Sequence, residues 1–243
     1  MKAVIDLNAD AGESFGRWSL GDDAALASHV TSISVACGFH AGDPSTMRQS
    51  ARLAVGSGVA LVAHPGLPDL LGFGRRAMDV RAEEVTDYCA YQVGALQAIA
   101  ALEGAVVEHV KPHGALYAMC SRDPEVALAL AHTIVQVDPQ LILLVMDGAA
   151  ASAAESAGVR VAREAFIDIE YDDEGRLILE AVTRHRDPGD LALRALGIVE
   201  GEITTHSGRR LEVDADSICI HGDGPSAVAI ARSVRSQLED AGV

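Results

Sequence analysis

Aromatic side chains are scarce: Phe, Tyr and Trp make up 4% of the 243 residues. Single-stranded nucleic acid is usually gripped by several stacking aromatics, so this binding mode is poorly served. Cations are scarce too, with 19 Lys plus Arg against 35 Asp plus Glu and a formal charge of −16. A chain that acidic repels phosphate backbones and anionic lipid, so neither nucleic acid nor a membrane surface is expected as a partner. No stretch approaches 18 uninterrupted apolar residues, the least a spanning helix needs. The start, Met1-Lys2-Ala3-Val4-Ile5-Asp6, turns acidic at once and has no signal-peptide core, so cytoplasmic residence is the expectation. The four cysteines, 37, 89, 120 and 219, form no Cys-x-x-Cys pair and no zinc spacing, and are expected as separate thiols. Neither a Gly-x-x-x-x-Gly-Lys-Ser/Thr loop nor a Gly-x-Gly-x-x-Gly turn after a strand is present.

What is present is apolar and regularly punctuated. Apolar residues make up 49%, which excludes a disordered chain, and the length fits one α/β domain over 1–243. Strand-length runs occur at Ala3–Leu7, Ser32–Cys37, Val59–Ala63, Val106–Val110, Leu141–Met146, Val159–Ile167 and Ser217–Ile220. Most are apolar on consecutive positions, the pattern of strands covered on both faces. Between them Asp43-Pro44, Asp123-Pro124 and Asp187-Pro188 place a capping carboxylate before a first-turn proline, and Gly224-Pro225 is read the same way. Gly56, Gly58, Gly104, Gly158 and Gly242 are read as helix stops, and the longest helix is expected over Ala82–Glu103. About seven strand–helix repeats imply a parallel α/β architecture, either a barrel or an open doubly wound sheet.

Polar residues gather after the strand runs. The first leads into Asp6-Leu7-Asn8-Ala9-Asp10-Ala11-Gly12-Glu13, and the second into Cys37-Gly38-Phe39-His40-Ala41-Gly42-Asp43. The third leads into His64-Pro65-Gly66, the fourth into Lys111-Pro112-His113-Gly114, and the last into His221-Gly222-Asp223-Gly224. Parallel α/β folds open the carboxyl ends of all their strands on one face, which holds the active site. Singly, each residue has a bland explanation: Asp43 is a helix cap, a loop histidine is a satisfied structural group, Lys111 is a solvated end. Four histidines at equivalent turns, each within two residues of a glycine or proline, point instead to a shared site. Asp, Asn, His and Lys without a reactive Ser or Cys motif suggest general acid–base chemistry. Asp and His from separate strands also suit a metal, although no diagnostic ligand spacing occurs. Gly72-Phe73-Gly74-Arg75-Arg76 is a glycine-rich basic turn in an acidic chain, suited to an anion or to an ordinary surface turn.

Six segments together resemble the LamB/YcsF family, in order and over essentially the whole chain. They are Ile5 to Glu13, Ala36 to Asp43, Ala63-His64-Pro65 with Pro68-Asp69, Phe73 to Arg76, His109 to Tyr117, and Ile218 to Asp223. The resemblance implies a distorted seven-stranded (β/α) barrel of the glycoside hydrolase/deacetylase type. It further implies ATP-dependent opening of 5-oxoproline to L-glutamate, carried out with partner subunits B and C. ATP would be a co-substrate of the complex, and a divalent metal is left open. Asp6, Asp10, His40, His64, Lys111 and His113 are then expected to be catalytic and to share one rim. Asn8, Glu13, Asp43, Arg75, Tyr117, His221 and Asp223 are expected to bind substrate. Replacing Lys111 is expected to lower turnover while leaving folding nearly intact.

One stretch departs from the family. Phe166-Ile167-Asp168-Ile169-Glu170-Tyr171 carries Ile169 where the family has arginine, and Glu180 stands at a second arginine position. Arg184 and Arg186 lie close enough in the chain to be considered as substitutes. Two other functions remain open from the residues. One is a metal-dependent amidase or deacetylase acting on another lactam or amide. The other is a non-catalytic member of an assembly that has lost its site.

Overall fold

The computed structural model describes residues 4–178 and 185–243. Strands β1 (Asp6–Ala11), β2 (Ser32–Ala36), β3 (Ala60–His64), β4 (Val107–Val110), β5 (Ile142–Val145) and β6 (Arg160–Phe166) follow one another in the chain. Two antiparallel ribbons come next, β7 (Glu170–Tyr171) with β8 (Leu177–Ile178), then β9 (Glu202–Thr204) with β10 (Arg210–Glu212). Strand β11 (Ser217–Ile220) completes the set. Strands β1 to β6 and β11 form a closed barrel in which sequence neighbours are spatial neighbours and every pairing is parallel. Closure is thereby decided in favour of the barrel.

The helices are α1 (Asp23–Ala27), α2 (Pro44–Ser57), α3 (Ala82–Leu102), α4 (Gly114–Arg122), α5 (Pro124–Val137), α6 (Ala149–Ser156), α7 (Pro188–Glu200) and α8 (Ala227–Asp240). Asp43, Asp123 and Asp187 each accept backbone N–H groups at the starts of α2, α5 and α7, as the Asp-Pro pairs predict. Gly58 caps α2 in the left-handed region. Two smaller expectations fail. Gly56 lies inside α2, and α8 begins at Ala227 behind Ser226, beyond Gly224-Pro225.

The first strand is displaced from its predicted range, for a reason that bears on function. Apolar content points to Ala3–Leu7, of which Ala3 is outside the described residues. The observed strand is Asp6-Leu7-Asn8-Ala9-Asp10-Ala11. It alternates, and residues 6, 8 and 10 share one face. Asn8 reaches Glu164 on β6 and Ser217 on β11, so that polar face points into the barrel. Leu7, Ala9 and Ala11 join the hydrophobic core. The barrel interior is therefore polar along β1, and a search for apolar runs places the strand too early.

Candidate active site at the carboxyl rim of the barrel

The carboxyl ends of the strands open into a cavity of about 700 Å3. Asp10, His64, Lys111, His113, Asp168 and His221 are among its lining residues, and Met146 to Ala150 bring the end of β5 to the wall. Local backbone geometry explains the aim of two of them. Beyond β4 the parallel ladder continues, with the Lys111 N–H donating to the Ala63 carbonyl and the His113 N–H to that of Pro65, both at 2.8 Å. Residues 111 and 113 thus face the same way.

Lys111 is buried at 2% exposure, so it is no solvated end. Its Nζ lies 2.9 Å from Asp10 Oδ1, 3.0 Å from Asn8 Oδ1, 2.8 Å from Cys219 Sγ and 3.1 Å from Glu164 Oε1. Burial pushes the ammonium pKa down, but Asp10, Cys219 and Glu164 outweigh it and hold it well above the ordinary lysine range. Burial likewise pushes Asp10 up, and Lys111, His64 and His221 outweigh it, so the carboxyl sits well below its usual range.

His64 and His113 are fixed by backbone carbonyls. His64 Nδ1 donates to the Lys111 carbonyl at 2.7 Å, and His113 Nε2 donates to the Phe73 carbonyl at 2.7 Å. Phe73 adopts a left-handed φ of 55°, which turns that carbonyl inward. Burial and the neighbouring imidazoles keep His113 well below the usual histidine range. His40 lies behind this pair, fully buried, its ring stacked 3.7 Å from that of His113. Gly66 and Gly74 make room for it: a Cβ on Gly66 would meet His40 Nδ1 at 2.4 Å, and one on Gly74 would meet His40 Cβ at 2.6 Å and His113 Cδ2 at 2.8 Å.

His221 is oriented by Asp168, which the sequence reading does not single out as a site residue. His221 Nδ1 donates to Asp168 Oδ1 at 2.9 Å, and the His221 N–H donates to Oδ2 at 2.8 Å. Burial pushes the imidazole down, but Asp168 and Asp10 raise its pKa to about 9. Its Nε2 stands 3.8 Å from Asp10 Oδ2. Glu13 is buried, and burial together with Asp10 and Asp223 pushes its carboxyl well above the usual range.

The predicted residues separate into groups. Asp10, His64, Lys111, His113, Arg75, Tyr117 and His221 line the cavity. Tyr117 uses its hydroxyl to accept the Met146 N–H at 2.6 Å. Asp6 must be corrected: it begins β1, at the opposite end of the barrel, and accepts from Ser32 Oγ at 2.9 Å, Thr31 and Ser217. Asn8 is corrected too, since it lies inside the barrel beneath the cavity and holds Lys111 and Glu164. Asp43 is a cap, with its carboxylate on the N–H groups of Ser45, Thr46 and Gly16. Asp223 ion-pairs with Arg75 at 2.9 Å. His40, Glu13 and Asp223 stand beside the cavity rather than among its lining residues.

Glu164 and Asp168 are the missed members. Glu164 lies within a predicted strand that also carries Arg160 and Arg163, so its charge does not stand out, and Asp168 follows β6 as the other site residues follow their strands. Ile169 lines the cavity, where Arg75, Arg76, Arg122 and Arg176 supply positive charge. Arg186 instead pairs with Glu170 at 3.2 Å. Glu180 and Arg184 lie outside the described residues.

These features define a closed (β/α) barrel with a buried acid–base constellation at its carboxyl rim. The LamB/YcsF family model matches residues 5–243, and the chain belongs to that family. It is 47% identical to a Deinococcus radiodurans protein named as the A subunit of 5-oxoprolinase, over 99% of this chain and 95% of that one. A Bordetella pertussis protein of the same name is 45% identical over 100% of this chain and 98% of its own. Among solved structures, a lactam utilization protein from Thermus thermophilus superposes with a TM-score of 0.91 at 45% identity, covering 98% of this chain and 97% of the other. Among the described residues, no helix is long and apolar enough to cross a membrane.

Proposed function

We propose that this chain is the ring-opening component of an ATP-dependent 5-oxoprolinase, acting on a lactam that partner subunits B and C have phosphorylated. The names carried by its relatives support the substrate class. One observation carries the chemistry: Asp10 lies 2.9 Å from buried Lys111 Nζ and 3.5 Å from His64 Nε2, with His221 Nε2 3.8 Å from its other oxygen.

An unstrained lactam is a stable amide, and phosphorylation of its oxygen makes the ring carbon electrophilic. Water then adds to that carbon, and Asp10 accepts the proton lost by the water. The carbon–nitrogen bond breaks with its electron pair going to nitrogen, and His221 Nε2 supplies the proton nitrogen needs. Asp168 stabilises the imidazolium beforehand and sets its orientation. Lys111 fixes Asp10 and counters negative charge on the oxygen that water adds to the ring carbon. As the ring opens, the added hydroxyl releases its remaining proton to solvent and becomes the carbonyl of an acyl phosphate, and a second water releases phosphate and glutamate. The lack of a recognisable ATP loop in the chain supports giving the phosphorylation to its partners.

The test is glutamate release from 5-oxoproline and ATP by the three-subunit mixture. Asp10→Asn and His221→Gln should each lower it by about 10²-fold or more, with melting temperatures measured alongside. Full activity in both variants would remove these residues from the mechanism.

A further inference from the structure

A hydrogen count at His64 and His113 leaves one proton to be placed. A carbonyl oxygen can only accept. The 2.7 Å contacts of His64 Nδ1 with the Lys111 carbonyl and of His113 Nε2 with the Phe73 carbonyl therefore put an N–H on each of those nitrogens. The other two nitrogens, His64 Nε2 and His113 Nδ1, face each other at 3.0 Å. Two bare lone pairs at that distance repel, and two N–H groups collide, so a single proton lies between them. The two rings together then hold three N–H groups, which makes one of them an imidazolium.

The surroundings decide which ring it is. His64 Nε2 also stands 3.5 Å from Asp10 Oδ1. Both His113 nitrogens are taken up by Phe73 and His64, and the His40 ring covers its face at 3.7 Å and 3°. Burial keeps His113 well below the usual histidine range. A charge count is independent of these contacts. The buried carboxylates of Asp10, Glu164 and Asp168 face two cations, Lys111 and His221. Glu13 is driven toward its neutral form by burial, and Asp223 is balanced by Arg75. One positive charge is missing from the site, and an imidazolium at His64 supplies it.

We propose that His64 is the third cation of this site, with a proton on both nitrogens, the one on Nε2 hydrogen-bonded to His113 Nδ1 and facing Asp10 Oδ1, and that His113 is a positioning residue acting through His64. Among the described residues, the groups around His64 are Asp10 from β1, Cys37 and His40 after β2, and Lys111 and His113 after β4. Burial pushes the Cys37 thiol up to about 12, so Asp10 alone of these is an anion. The consequence for turnover rests on the ring-opening reading. Asp10 Oδ1 is held between Lys111 Nζ at 2.9 Å and His64 Nε2, while Oδ2 has only His221 Nε2, at 3.8 Å. Oδ2 is thus the oxygen left to take a proton from water, on the side where His221 gives one.

Nitrogen-15 NMR of the histidines in the unmutated full-length protein, near neutral pH and without substrate or partners, tests the proton placement. Both His64 nitrogens should appear as N–H, with His113 protonated on Nε2 alone and a coupling across the hydrogen bond from His64 Nε2 to His113 Nδ1. A bare His64 Nε2, or an N–H on both His113 nitrogens, would overturn the proposal whether or not the protein opens a lactam. Glutamate release by the three-subunit mixture tests the positioning role. His113→Leu removes the acceptor and should lower kcat by about tenfold or more with KM little changed, whereas His113→Asn, whose side-chain oxygen falls near the Nδ1 position, should recover most of it. Equal kcat in the unmutated protein and His113→Leu, or equal loss in both variants with melting temperatures intact, would remove His113 from that role.

Discussion

Lys111 shows how placement changes an expectation at the scale of single residues. A surface lysine can be replaced without harming the fold, but Lys111 is buried against two carboxylates. Removing one partner of a buried ion pair typically costs about 3–5 kcal/mol, because the opposite charge is left stranded. Lys111→Met should therefore lose both turnover and stability, seen as a large drop in melting temperature. Adding Glu164→Gln should recover much of the stability and none of the turnover, since it removes a stranded charge but not the need for the ammonium. Recovery of turnover in the double variant would show that Lys111 is purely structural.

The His221–Asp168 pair predicts a pH dependence at the same scale. The folded pKa of His221 is about 9, above the ordinary histidine value of roughly 6.5. The pair's stabilisation is then complete below about pH 6.5 and fades as pH rises through about 9. Asp168 is lowered, since His221 outweighs the upward push of burial, so its contribution is lost as pH falls through that lowered value. The melting difference between the unmodified protein and Asp168→Asn should be largest between roughly pH 4 and 6.5 and close toward pH 9. A difference that grows above pH 9 would contradict the assignment.

Elements explain which parts of the site can be read from sequence. Asp-Pro pairs announce α2, α5 and α7 because a capping carboxylate and a first-turn proline act locally. Lys111, His113 and His221 are legible because they come just after strand-length runs, Val106–Val110 and Ser217–Ile220. Asp6 and Asn8 mislead for the opposite reason: they lie inside a strand whose interior face is polar, and only pairing with β2 and β11 fixes which end each occupies. Glu164 and Asp168 act through partners more than 50 residues away in sequence, which no local pattern reveals. Asp43 belongs to this scale. Asp43→Ala should cost about 1–2 kcal/mol by uncapping α2. KM for the lactam should stay unchanged, and a large rise in KM would restore Asp43 to substrate binding.

At the scale of the molecule, closure of seven parallel strands brings residues from positions 10 to 221 to one rim. Periodicity alone leaves barrel and open sheet equally possible, because both bury their strands on two faces. The closed ring places Asp10, from the first strand, beside His221 after the last. The barrel also bears on the division of labour. Its cavity is acidic and basic by turns, with arginines at the wall and no phosphate loop motif in the chain. Titrating ATP into the isolated chain in a calorimeter should give no tight binding, and tight binding would move the phosphorylation step onto this barrel.

Whether this chain opens a ring that its partners have activated is decided by following ADP and glutamate separately. The mixtures contain 5-oxoproline, ATP and subunits B and C, before and after this chain is added. B and C should form ADP with little glutamate, and glutamate should then be released on addition of the chain and not on addition of Asp10→Asn. Glutamate release by B and C alone at the full rate, or stoichiometric ATP hydrolysis by this chain without them, would contradict that division.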